Sequence, residues 1–349
     1  MGGAENILAS LADGLERKGC QVKIICLKGP IVVKPTSPNI EIVDLEFNGI
    51  KNLGTAFKKI KSICQEFQPD VIHAHMFHAI ILARLSKFFY AIPKLICTAH
   101  SKAYGGFNRA LLYKITDHFS DINTNVSYEA TDFFIKNKVF KRHNTVTVTN
   151  GVDTQKFISN FSQREKYRKE FNLSGNDKIF IAVGRFNQAK DYPNLITAFQ
   201  KVSQMQTVKL FIVGDGELRA QIENLIDDYQ LNDKVILLGI RRDITDLLNM
   251  ADYFILSSAW EGLPTVLMEA MATEKIVITT DCGGAREIVN NQEYLVPTKD
   301  SDALTQKMLE VIEINQQDCE QIGKINRQRV IDHYSLDAMV GQWLKLYKS

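Results

Sequence analysis

Cysteine, proline and tryptophan are scarce in this chain of 349 residues, which has 6 Cys, 8 Pro and 2 Trp. The cysteines (Cys20, Cys26, Cys64, Cys97, Cys282 and Cys319) are scattered and form no C-x-x-C pair. Such spacing predicts ordinary reduced thiols and excludes a disulfide framework or a structural zinc knot. No apolar run approaches the roughly 18–20 residues of a membrane-spanning helix. The start lacks the basic and apolar regions of a signal peptide, so an intracellular, cytoplasmic protein is expected. Low-complexity tracts are missing as well. With 45% hydrophobic and 23% charged residues, the chain can bury sizeable cores and is not disordered, collagenous or coiled.

A strong net charge is also lacking. The formal total is +2, yet residues 1–150 hold 19 Lys and Arg against 12 Asp and Glu, and the remainder 23 against 28. Lys51, Lys58, Lys59 and Lys61 form one basic cluster in the first half; Lys136, Lys138, Lys141 and Arg142 form another. Clusters of this kind suit an anionic membrane surface or a phosphate-bearing substrate, or are solvated helix faces. No nucleic-acid-binding motif accompanies them, so nucleic acid is not an expected partner.

The length exceeds the range of about 100–200 residues usual for one core, which favours two domains. Short β-branched runs alternate with segments of helical period, the pattern of parallel strands joined by crossover helices, so the class is α/β. Strands are expected at 22–27, 40–45, 71–74, 94–98, 122–125 and 145–149, then at 178–183, 208–213, 235–238, 253–256, 276–279 and 294–296. Two similar sheets are implied. The polar stretch 151–177 should hold the hinge and the first helix of the second domain. Ala56, Phe57, Ile60, Ile63, Cys64 and Phe67 mark one amphipathic helix, and Leu336, Met339, Val340, Trp343, Leu344 and Tyr347 mark the last one. Where that last helix docks is not readable from its period. A doubly wound domain normally opens on a strand that feeds a glycine loop, but here Gly2 and Gly3 follow the first methionine directly. The first sheet is therefore expected without its opening strand, although Ile7, Leu8, Leu11, Ala12 and Leu15 support the helix that would follow it.

Residues 261–272, EGLPTVLMEAMA, carry the strongest chemical signal. Pro264 at a first helical position predicts a helix whose amino terminus lies just beyond the strand at 253–256. Free amides and the helix dipole make such a terminus a phosphate or pyrophosphate site, with Gly262 permitting close approach. At about 1.5 Å of rise per residue, the backbones of Glu261 and Glu269 lie on the order of 10 Å apart. That is too long for the roughly 5 Å carboxylate pair of a retaining glycosidase, but it suits one Glu on a sugar and the other on a ribose across a diphosphate. In VGRFNQAKDY, 183–192, Arg185 and Lys190 occupy a strand-to-helix loop where they can neutralise a pyrophosphate. IVGDGELR, 212–219, supplies Gly214 and Gly216 for a tight turn against a flat ligand. Loops from neighbouring parallel strands converge at the carboxyl edge of a sheet, where ligands usually bind.

These motifs, with TNGVD at 149–153 and GGAE at 2–5, resemble the motif set of glycosyltransferase family 4, retaining nucleotide-sugar transferases of the GT-B fold. The likeness runs essentially end to end, and its most specific element is the Glu261 and Glu269 pair. It implies two Rossmann-like doubly wound domains facing across a cleft: 1–155 binding the acceptor, 156–332 the donor, and 333–349 a helix returning to the first domain. By position, Arg185 and Lys190 match the pyrophosphate-binding pair, Glu261 the glutamate near the transferred sugar and Glu269 the ribose-binding glutamate. Gly3, Gly214, Gly216, Gly262, Leu263, Pro264 and Thr265 would complete the donor site. TAHS, 98–101, matches the family's strand-end histidine, which places His100 beside the reacting sugar and His75 with it on the acceptor side. The implied reaction moves a hexosyl unit from a nucleoside diphosphate sugar, UDP first with GDP or ADP as alternatives, to an acceptor hydroxyl with retention. The basic first half suggests a lipid-diphosphate-linked glycan at the inner membrane face, as in capsule, exopolysaccharide or lipopolysaccharide assembly.

The chain also departs from the family. A strand usually precedes GGAE, so either the chain starts at an internal Met or its first sheet lacks an edge or central partner. Glu274 and Lys275 stand where Gly and Pro commonly precede the next strand. His73, His75 and His78 lie close together, and His73 and His75 on one strand face have a spacing compatible with a metal. No third ligand or carboxylate accompanies them, so no metal and no cofactor are expected. His118, His143 and His333 lack supporting context. A catalytically silent GT-B-like subunit that binds a partner glycosyltransferase or glycan is the alternative reading. A nicotinamide dehydrogenase is disfavoured because no G-x-G-x-x-G follows a strand with an acidic residue about 20 positions on.

Overall fold

The structure is a computed structural model and describes residues 3–100 and 104–349. The chain divides into two compact units, Met1–Gly151 with Leu336–Ser349, and Val152–Ser335. These divisions fall a few residues from the expected 155/156 and 332/333. Val152 pairs in parallel with Ser335, and its amide donates to the Tyr334 carbonyl at 2.7 Å, which draws both residues into the second unit.

In the first unit, α1 (Gly3–Arg17) leads to β1 (Lys23–Cys26) and β2 (Glu41–Asp44). Then follow α2 (Leu53–Phe67), β3 (Ile72–His75), α3 (Phe77–Ser86), β4 (Leu95–Ala99), α4 (Phe107–Thr116), β5 (Ile122–Asn125), α5 (Tyr128–Lys136) and β6 (Thr145–Thr147). The strands form two parallel sheets, β1-β2 and β3-β4-β5-β6. Ile25 of β1 and Ile72 of β3 nevertheless share a core cluster with Leu45, Ile60, Cys64 and Leu82. The break in hydrogen bonding therefore lies inside the layer, between β1 and β3, and not at its edge. The helix Leu336–Lys348, α14 below, packs on α1: Ile7, Leu11 and Leu15 bury against Met339, Val340 and Trp343. A Cβ on Gly14 would come within 2.4 Å of Val340 Cγ2, so glycine sets the closeness of this crossing. On the other face, Ile80 of α3, Tyr113 of α4 and Phe134 of α5 enclose Leu95 and Cys97 of β4.

The second unit begins with α6 (Phe161–Glu170), whose cap Asn160 accepts from the Gln163 amide. It continues as β7 (Lys178–Val183), α7 (Tyr192–Met205), β8 (Val208–Val213), α8 (Arg219–Asp228), β9 (Val235–Gly239), α9 (Ile244–Met250) and β10 (Tyr253–Leu256). The remainder is α10 (Thr265–Ala272), β11 (Ile276–Thr280), α11 (Ala285–Val289), β12 (Leu295–Val296), α12 (Ser301–Ile312) and α13 (Gln316–Tyr334). One parallel sheet has the order β12-β11-β10-β7-β8-β9. Its strands are apolar on both faces, as a sheet covered by helices requires: Ile179, Phe180, Ile181, Phe254 and Ile255 are each 0% exposed. The order reverses between β7 and β10, which opens a crevice at their carboxyl ends. All six cysteines are free thiols. Among the described residues no helix is long and apolar enough to cross a membrane.

Candidate active site

The loops after β7 and β10 flank that crevice and are tied to each other. The Ala259 amide donates to the Ala189 carbonyl at 2.8 Å, and Ser257 Oγ to the Lys190 carbonyl at 2.8 Å. Lys190 and Glu261, 71 positions apart, thereby meet: Lys190 Nζ donates to Glu261 Oε1 at 2.6 Å. Ser258 Oγ donates to the same oxygen at 2.7 Å. Both partners of the ion pair are largely sheltered, with 16% of each side chain exposed.

Arg185 lies elsewhere on the same loop. Its guanidinium pairs with Glu217 at 3.1 Å, and its side chain is 70% exposed. The expected cationic pair is thus present in one unit, but each cation already holds its own carboxylate.

Glycine allows the β7 and β8 loops to touch. A Cβ on Gly214, whose φ is +140, would lie 1.9 Å from the Gly184 carbonyl oxygen, and one on Gly216 would lie 2.4 Å from the Phe186 oxygen. The turn residues recognised in the sequence are therefore packing glycines of two adjoining loops. Sequence reasoning missed a further pair, Gly283 and Gly284 after β11. The Gly284 amide donates to the Gly262 carbonyl at 2.7 Å, and a Cβ on Gly283 would stand 2.3 Å from the Glu261 oxygen. A Gly-Gly dipeptide directly after an apolar strand was the available signal.

Helix α10 starts at Thr265, with Pro264 as its cap residue and not, as expected, its first helical residue. Pro264 has ψ of 94°, an extended value, and no side chain caps the helix. Leu263 and Pro264 are buried, whereas Gly262 and Thr265 are partly exposed. Glu269 stands one turn further along α10. Burial raises its carboxyl from the ordinary 4.5 to about 7, opposed by the charges of Lys156 and Lys190. No hydrogen bond among the described residues reaches that carboxylate. Tyr192 completes the cluster: its buried hydroxyl has no partner, and burial followed by the charge of Glu261 pushes it well above the usual phenol range.

In the first unit, β3 and β4 bring the histidines together. His75 Nδ1 and His100 Nε2 are 2.9 Å apart. The rings of His73 and His75 lie tilted against each other with centroids 4.0 Å apart. His73 uses both nitrogens, with Tyr347 Oη at 2.8 Å and Thr98 Oγ1 at 2.6 Å. Burial lowers all three: His73 to about 3, His100 to about 4 and His75 well below its ordinary value. They are neutral rings at pH 7, and His73 ties α14 to the sheet. Gly3 opens α1, while Gly2 and Ser101 lie outside the described residues.

Comparison with known proteins agrees with this architecture. Residues 163–329 match the family of glycosyl transferases group 1, and residues 1–156 match Glycosyltransferase Family 4. An N-acetyl-alpha-D-glucosaminyl L-malate synthase from Bacillus anthracis is 24% identical, covering 99% of this chain and 94% of that protein. A UDP-Gal:alpha-D-GlcNAc-diphosphoundecaprenol alpha-1,3-galactosyltransferase from Escherichia coli is 27% identical over 75% of this chain and 71% of its own length. The crystal structure of Anabaena Alr3699/HepE in complex with UDP superposes with a TM-score of 0.85 at 20% identity, covering 99% of this chain and 96% of that one. The fold is GT-B, and the chain belongs to glycosyltransferase family 4.

Proposed function

We propose that this protein transfers a hexosyl unit from a UDP-sugar to a hydroxyl of a lipid-diphosphate-linked glycan, with retention at the anomeric carbon. The observation that carries the donor half is Glu269, a raised carboxyl without a hydrogen-bond partner, beside the Lys190–Glu261 ion pair at the switch point of a parallel sheet. A ribose diol supplies the two donors that Glu269 lacks. Glu261 receives both of its hydrogen bonds on Oε1, which leaves Oε2 for a hydroxyl of the transferred sugar.

Departure of the diphosphate is the demanding step, since negative charge accumulates on it. Lys190, Arg185 and the uncapped amides of α10 offset that charge electrostatically, so no divalent ion is required. To do so, Lys190 and Arg185 each exchange a carboxylate for a phosphate oxygen, leaving Glu261 and Glu217 to other partners. The acceptor attacks on the face the diphosphate leaves, and the departing phosphate takes its proton. Within the first unit, neutral His100 is oriented by His75 and is free to accept or donate a hydrogen bond to a substrate hydroxyl.

The positive balance of residues 1–150 supports a lipid-diphosphate acceptor at the inner face of a bacterial membrane. The name of the Escherichia coli relative, with its diphosphoundecaprenol substrate, points the same way. HepE, whose structure contains UDP, favours UDP as the nucleotide. The test is a thermal-shift series with UDP-, GDP- and ADP-sugars, followed by radiolabel transfer in the presence of EDTA. UDP-sugars should raise the melting temperature, transfer should persist with EDTA, and Lys190→Ala should lower turnover at least about a hundredfold. Normal turnover in Lys190→Ala would overturn the site assignment. A purified protein that binds the donor but neither transfers nor hydrolyses the sugar would establish the silent-subunit alternative.

A further inference from the structure

Helix α4 has two apolar faces, and among the described residues only one of them has a partner. Tyr113 is buried in the core beneath β4 and Ala110 packs against it. On the outer side Phe107, Leu111 and Ile115, at spacing i, i+4, i+8, are 79%, 46% and 54% exposed, with Leu112 beside them at 39%. An ordinary surface helix turns polar residues to water. Phe88, following α3, extends the patch: it is 66% exposed and meets Phe119, just beyond α4, at a centroid distance of 4.8 Å.

Charge identifies what this face suits. Residues 104–116 include Arg109 and Lys114 and no Asp or Glu, and both cations are exposed. Residues 51–150 carry 14 Lys and Arg against 6 Asp and Glu. The exposed cations Lys58 and Lys61 of α2, and Lys136 of α5 with Lys138 just beyond it, belong to the segments that pack with α3 and α4 around β3 and β4. An apolar ridge inside a cationic field matches a surface that is apolar below and anionic above, which is a lipid bilayer with acidic headgroups. A second copy of this chain would bring the same positive charge against itself.

We propose that α4 is an interfacial helix that seats the first unit on an anionic membrane, with Phe107, Leu111 and Ile115 entering the headgroup boundary. This rests on the reading of the acceptor as lipid-linked, and it adds apolar insertion to the purely electrostatic contact that the basic clusters alone suggest. Insertion separates the two contacts experimentally, because screening at high salt removes the electrostatic contact and spares the apolar one.

The full chain is sedimented with vesicles of phosphatidylglycerol and phosphatidylcholine, and with phosphatidylcholine alone, at 0.05 and 0.5 M salt. The expected result is binding to the anionic vesicles that persists in part at high salt, and a blue-shifted emission from an added Phe107→Trp. Partitioning should fall at least about tenfold in Phe107→Ser/Leu111→Ser/Ile115→Ser. Ile240→Ser, which removes an 81% exposed side chain of the second unit, should bind as the unaltered chain does. Because the three substituted side chains point outward, the melting temperature and its rise with UDP-sugar should be unchanged. Equal vesicle binding by the triple variant would overturn the proposal. So would no vesicle binding at all, or a concentration-dependent dimer that the triple variant abolishes. None of these results touches the donor site; loss of the UDP-sugar shift in the unaltered chain would instead overturn the functional reading.

Discussion

Replacing Glu269 by Gln separates stability from binding, because the carboxylate proposed to hold the donor ribose is one the fold holds at a cost. Its carboxyl is raised from 4.5 to about 7, chiefly by burial. Between those values the folded chain binds more protons than the unfolded chain, so stability falls as pH rises through this window. At about 1.4 kcal/mol per pH unit the full penalty is on the order of 3 kcal/mol, reached above about pH 7, and it is an upper bound because water reaches part of the side chain. Glu269→Gln has no charge to desolvate. The melting temperature of the variant relative to the unaltered chain should therefore be near zero at pH 4.5 and rise by several degrees at pH 8, given about 2–4 °C per kcal/mol for a unit of this size. The same variant should weaken UDP-sugar binding by roughly 10- to 100-fold, the value of hydrogen bonds to a charged acceptor. Calorimetry across pH, with and without UDP-sugar, reads both effects. A melting-temperature difference independent of pH would refute the desolvation argument. Undiminished donor binding by the stabilised variant would refute the role of Glu269.

The two units should respond oppositely to acid. His73 and His100 are held neutral, at about 3 and about 4, by burial. Their contribution is complete above about pH 6.5 and is lost as pH falls. Tryptophan fluorescence, dominated in the first unit by Trp343 with its ring centroid 4.3 Å from that of His73, should report melting there at lower temperature on going from pH 7 to pH 5, while the second unit does not weaken through Glu269. Tyr347→Phe leaves a buried His73 nitrogen without its partner. It should cost about 1–3 kcal/mol and speed amide exchange in α14. Gly214→Ala places a Cβ on the Gly184 carbonyl, so a loss of roughly 3 kcal/mol or more is expected, read by urea unfolding together with loss of the UDP-sugar shift. Lys275 is buried and lowered from 10.5 to about 8 by desolvation, so it weakens the fold below pH 8 and that penalty is relieved between pH 8 and pH 10.5. Lys275→Met should raise the melting temperature at pH 7 by a few degrees and lose that advantage by pH 10.5.

Most strands and the α/β class were legible because β-branched runs and helical periods are local properties. The strands Lys178–Val183, Val208–Val213 and Tyr253–Leu256 lie where their apolar runs put them. The last helix had a readable period but no readable partner. Its place on α1 depends on Gly14 and Val340 meeting, a contact between residues more than 300 positions apart. The candidate site divides in the same way. Glu261, Glu269, Arg185 and Lys190 could be named from motif context at strand ends, yet the sequence treats the two cations alike. Only the fold, by setting β7 beside β10, puts Lys190 on Glu261 and leaves Arg185 facing solvent on Glu217. The charge state of Glu269 also belongs to the tertiary structure, since desolvation depends on what packs around a group and not on its neighbours in the chain. The same holds for the break between β1 and β3 and for the outward face of α4: a sequence period shows that residues share a face, but only packing decides whether anything covers it.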